Sequence, residues 1–75
     1  MNSDAGVILL FDSTRNVIHA ERACRACGIA VEIVPVPRTL SSECGMALEV
    51  SKADQEAACN AITQRGIAVQ AAPAG

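Results

Sequence analysis

Gly28-Ile29-Ala30-Val31, followed by Pro35, returns near the end of the chain as Gly66-Ile67-Ala68-Val69, followed by Pro73. Each copy reads as a helix end running into a strand. The glycine stops the helix, and at the first copy Ile29 can pack back on the last turn as in a Schellman closure. The strand that follows spans Val31 to Val34 in the first copy, where Pro35 and Pro37 end it because proline cannot donate to a ladder. In the second copy it spans Ile67 to Ala71.

Upstream of each copy lies the same order of elements. Val7-Ile8-Leu9-Leu10-Phe11 is an apolar run bounded by polar residues, which suits a buried strand. Asp12 or Ser13 can cap the helix that follows. On that helix Val17, Ala20, Ala23, Cys24 and Cys27 form one stripe, while Arg15, His19, Glu21, Arg22 and Arg25 point elsewhere. In the second half, Gly45 to Val50 alternates as a strand with Met46, Leu48 and Val50 inward. Ser51-Lys52-Ala53-Asp54 has the form of a capping box. A helix then runs to about Arg65, burying Ala57, Ala58, Ala61 and Ile62.

Two strand–helix–strand halves joined by right-handed crossovers interleave into one sheet. The expected fold class is α+β: a ferredoxin-like βαββαβ sandwich, a four-stranded antiparallel sheet in the order 4-1-3-2 with two helices on one face. Residues 1–75 form a single domain with its core at about 6–71 and short termini. The face without helices is expected to mix Glu32, Val34, Ala47, Glu49, Ala68 and Gln70 with one side of the first strand. That strand is apolar on both sides, which points to a homodimer or a docking partner on this face.

Composition narrows the function. Of 75 residues, 51% are hydrophobic but only one, Phe11, is aromatic. A deep pocket walled by large side chains is not expected, nor a stacking platform for bases. Six basic and eight acidic residues give a formal net charge of −2. With no basic run, neither nucleic acid nor a membrane surface has electrostatic support as a partner. No apolar run is long enough to span a bilayer. Met1-Asn2-Ser3-Asp4 lacks the positive flank of a signal peptide, so a cytoplasmic location with reduced thiols is expected for the four cysteines.

The loop Pro37-Arg38-Thr39-Leu40-Ser41-Ser42-Glu43-Cys44-Gly45 gathers the chemistry: a cation, adjacent hydroxyls, and a thiol before glycine. In the expected sheet the third strand starts beside the end of the first. Cys44 would then lie near Asp12, Ser13 and Thr14, at a helix N-terminus whose partial positive charge favours the reactive thiolate. Arg38 could add to this and Asp12 would oppose it; Gly45 would let another molecule approach the backbone. The other reading makes Cys44 a small packed hydrophobe and the loop a connector.

Cys24-x-x-Cys27 looks like a redox or metal motif, yet it sits late in its helix and on the buried stripe. Thiolate activation needs the opposite end of the helix. Zinc needs about four ligands, and Cys44 is expected about 15 Å away along the helix at ~1.5 Å per residue. Cys59 falls off the second helix's apolar stripe, and His19 has no acid or cysteine placed to pair with it. No metal and no cofactor is called for.

Phe11-Asp12-Ser13-Thr14, the break at Gly28-Ile29, and above all the loop from Pro37 to Gly45 resemble the putative selenium/sulfur carrier-like proteins, from about Val7 to Ala71. The resemblance implies a carrier holding sulfur or selenium on one cysteine, here Cys44, with Arg38, Ser41, Ser42, Gly45, Ser13 and Thr14 as its surroundings. A cysteine desulfurase or another sulfur/selenium-transfer protein would be the partner. The pair Cys24/Cys27 is no part of that pattern. A non-catalytic interaction module using the open sheet face is the alternative function, and a small metal-binding protein built on Cys44 the third.

Overall fold

The computed structural model describes residues 6–36 and 45–73. Their order is β1 (Gly6–Leu10), α1 (Thr14–Ala26), β2 (Glu32–Pro35), β3 (Met46–Ser51), a short 3₁₀ turn (Lys52–Asp54), α2 (Gln55–Thr63) and β4 (Gln70–Pro73). The strands form one open antiparallel sheet in the order β2-β3-β1-β4; from the opposite edge the same row runs β4-β1-β3-β2.

Alternation along β1 divides the interior in two. Val7, Leu9 and Phe11 join Leu48 and Val50 of β3 beneath Val17, Ala20 and Cys24 of α1 and Ala58 and Ile62 of α2. Both helices therefore cover the same face. Ile8 and Leu10 face the other way and pack with Ala47, Val34, Val36 and Ala72. Ile8 is only 3% exposed and Leu10 9%. Ile8 and Leu10 are thus not exposed on that face, and Val34, Val36 and Ala72 beside them are partly buried. Among the described residues the exposed large hydrophobic side chain is Ile18, on α1.

Backbone sterics explain the repeat. Gly28 has φ +76° and Gly66 φ +76°, left-handed conformations that only glycine adopts without cost. At the end of α1 the Gly28 N–H donates to the Arg25 carbonyl (3.0 Å) and the Ile29 N–H to the Cys24 carbonyl (2.9 Å), the paired bonds of a Schellman closure. At the end of α2 the Gly66 N–H donates to the Thr63 carbonyl at 2.9 Å and the Ile67 N–H reaches toward Ile62 at 3.5 Å. Ile29 and Ile67 both pack on the main core. A Cβ on Gly28 would meet nothing within 4 Å, so Gly28→Ala should cost about 1 kcal/mol from backbone strain alone. Gly28→Asn should cost less, since asparagine tolerates this conformation better. Urea unfolding of the two variants checks the order.

The same closures displace the strands from their expected positions. Residues 29–31 and 67–69 carry the chain from helix end to sheet edge, so pairing begins at Glu32 and Gln70 rather than Val31 and Ile67. Ala68 consequently lies outside the sheet. Pro35 does not stop β2 but is its last paired residue, opposite Met46; β2 is an edge strand, where a missing donor is tolerated. The Ser51 capping box does not form. Ser51 is the last residue of β3 and its side chain makes no cap bond. The 3₁₀ turn intervenes, α2 starts at Gln55 and ends at Thr63, and Ala57 is exposed.

Candidate functional site

The end of the sheet where β1 stops and β3 starts carries Ser13, Thr14 and Gly45, the described residues among those singled out in the sequence. Leu10 pairs with Ala47. Three residues beyond Leu10 is Ser13, and two residues before Ala47 is Gly45. Ser13 is the N-cap of α1: its backbone is extended, and its Oγ accepts from the Asn16 N–H at 3.2 Å. This answers one of the helix's unpaired first-turn donors. Asp12 does not cap; its Oδ1 accepts from the Asn16 side-chain amide at 2.7 Å. Thr14 is the exposed first residue of α1. Gly45 is exposed with φ +73°, and its carbonyl accepts from the Val36 N–H at 3.1 Å. This bond joins the residues on either side of the loop. Arg38, Ser41, Ser42 and Cys44 lie outside the described residues.

The other three cysteines are free and differ sharply in exposure. Cys24 is wholly buried between the helices, its Sγ 4.0 Å from the Ala58 carbonyl of α2. Burial pushes its thiol pKa up, and the nearby Cys27 and Cys59 thiols add to the rise. Cys59 is half-buried on α2 and raised by burial as well. Cys27 is not on the buried stripe as the spacing suggested. It is the exposed C-cap of α1, where the helix closure turns the chain outward. The Cys-x-x-Cys pair therefore has one thiol in the core and one in solvent. The neighbourhood of Cys24 and Cys59 was not legible in the sequence, because it depends on how α1 meets α2.

A raised folded pKa has a definite consequence. Neutral Cys24 contributes stability in full below the ordinary thiol pKa. That contribution is lost as pH climbs through this value toward the raised one, because the unfolded chain gives up its proton first. Alkaline pH should thus destabilise the domain, and Cys24→Ala should flatten that alkaline arm. Thermal unfolding as a function of pH reads this out; an unchanged alkaline slope in the variant would refute it.

No group of three or more His, Cys, Asp and Glu among the described residues is placed to hold a metal ion. No described helix is long and apolar enough to cross a membrane. No curated protein and no solved structure matches the chain. A family model does: the one described as "Putative Se/S carrier protein-like" matches residues 6–72, nearly the whole length, and the chain belongs to that family.

Proposed function

We propose that the protein carries sulfur or selenium as a persulfide or selenosulfide on Cys44, between a donor such as a cysteine desulfurase and an acceptor thiol. Membership of the carrier family carries this reading. The chemistry is a transfer without net oxidation. The Cys44 thiolate attacks the terminal sulfur of the donor's persulfide, the donor S–S bond breaks, and the donor cysteine leaves as thiolate. A second exchange of the same kind passes the atom on. Such exchange needs thiolate character and access rather than a deep pocket. Ser13 and Gly45, a few residues from the Leu10–Ala47 pair, support a thiol located near the first turn of α1, where the dipole favours thiolate.

The strand order supports the ferredoxin-like description, and free thiols at Cys24, Cys27 and Cys59 fit a reducing, cytoplasmic setting. Arg38, Ser41 and Ser42 are proposed as surroundings of the carrier thiol. The alternative, a non-catalytic interaction module, would use the second face of the sheet, where Val34, Val36 and Ala72 are partly buried beside Ile8 and Leu10.

Incubation with a cysteine desulfurase and cysteine, followed by mass spectrometry of the intact protein, tests the proposal. The parent should gain one sulfur atom and Cys44→Ala none. A Cys44→Ala protein that loads as readily as the parent would sink it.

A further inference from the structure

The chain is acidic overall, yet two of its six Lys and Arg residues and its one histidine meet at a single groove. The groove holds about 410 Å³ and is lined by Arg15, Asn16 and His19 from the start of α1 and by Arg65, Gly66 and Ile67 just beyond α2. Arg15 and His19 are one helical turn apart and so share a face. Arg65 reaches the same space from the opposite wall, because the antiparallel crossing sets the start of α1 beside the end of α2.

Among the described residues no carboxylate lines this space. Asp12, three residues before Arg15, accepts from the Asn16 side-chain amide at 2.7 Å and sets one negative charge beside the groove. The ion pair of α1 joins Arg25 to Glu21, further along the helix, and leaves Arg15 aside. Gly66 keeps the floor open, since a Cβ there would meet nothing within 4 Å. The two guanidinium groups give the groove positive charge that a bound anion would offset. Guanidinium forks match the oxygens of a tetrahedral oxyanion. Among the described lining residues Ile67 is the large apolar side chain, and no aromatic ring is there to stack a base.

We propose that this groove between the start of α1 and the end of α2 binds a small phosphate-class oxyanion, held by Arg15, His19 and Arg65. The ligand is either inorganic phosphate or the phosphoryl group of a small monoester. The proposal does not depend on the Cys44 thiol.

Amide chemical shifts of the ¹⁵N-labelled full chain, titrated with inorganic phosphate at constant ionic strength, provide the test. The Asn16 and Gly66 amides should shift together and saturate in the low-millimolar range. Arg15→Ala and Arg65→Ala should each weaken binding about tenfold, the scale of one charge-assisted hydrogen bond. Arg22→Ala, outside the groove, should bind as the parent does, and so should Cys44→Ser, which separates this site from the fate of the carrier proposal. A parallel titration with phenyl phosphate assigns the source: tighter binding than phosphate marks a monoester site, and equal or weaker binding a site for the free ion. All three substituted arginines are exposed, so the variants should keep the parent spectrum elsewhere. Chloride producing the same saturating shifts, or unchanged affinity in both Arg15→Ala and Arg65→Ala, would overturn the proposal.

Discussion

Leu48→Ala should leave little of the domain folded at 37 °C. Leu48 is wholly buried at the middle of β3, paired with Leu9 on one side and Ile33 on the other, under the helices. Truncating such a leucine costs about 2–5 kcal/mol, the transfer term plus the cavity left behind. A chain of this size has roughly 4–11 kcal/mol to lose at ~0.05–0.15 kcal/mol per residue. It belongs at the lower end, since so small a domain buries only about 60% of its unfolded surface. The core also lacks bulk that could collapse into the gap, with Phe11 its one aromatic ring. Urea unfolding followed by circular dichroism measures the loss. A change below about 1 kcal/mol would mean that Leu48 is not held as described.

Under native conditions Cys27 should react with iodoacetamide about a thousandfold faster than Cys24. Cys27 is exposed at the end of α1 and needs no opening of the fold. Cys24 is sealed between α1 and α2 and reacts only when the helices separate. Where reclosing is faster than alkylation, protection follows the opening free energy. About 4 kcal/mol of opening gives ~10³ at about 1.4 kcal/mol per decade. Peptide mapping of a time course gives both rates. Comparable rates would show that the helices part easily, and would reopen a dithiol role for the pair.

Two of the readings that failed along α1 and α2 share a cause. Helical spacing put Cys27 on the stripe with Cys24, but the stripe holds only while the helix continues, and the Gly28 closure begins at that residue. The Ser51 box has the right residues for a cap, yet Ser51 is already committed to pairing with Gly6 in β3. In both places a local pattern was outcompeted by the element beside it. The loop expectation is of another kind. Its flanks are described, at Val36 and Gly45, and its chemistry rests on the family and on the experiment with Cys44.

What the sequence by itself determined is short in range: where each helix must stop, which residues of β1 and β3 alternate inward, and that two similar halves follow one another. These follow from glycine's access to positive φ and from the period of the strand, which act over a few neighbouring residues. Tertiary structure alone decided that Ile8 and Leu10 would be buried on the face away from the helices. It also set Cys24 against Ala58, and Arg15 and His19 across a groove from Arg65. Those meetings join residues far apart in the chain. They are settled by how strands and helices pack together, a sum over many weak contacts that no single stretch of residues encodes.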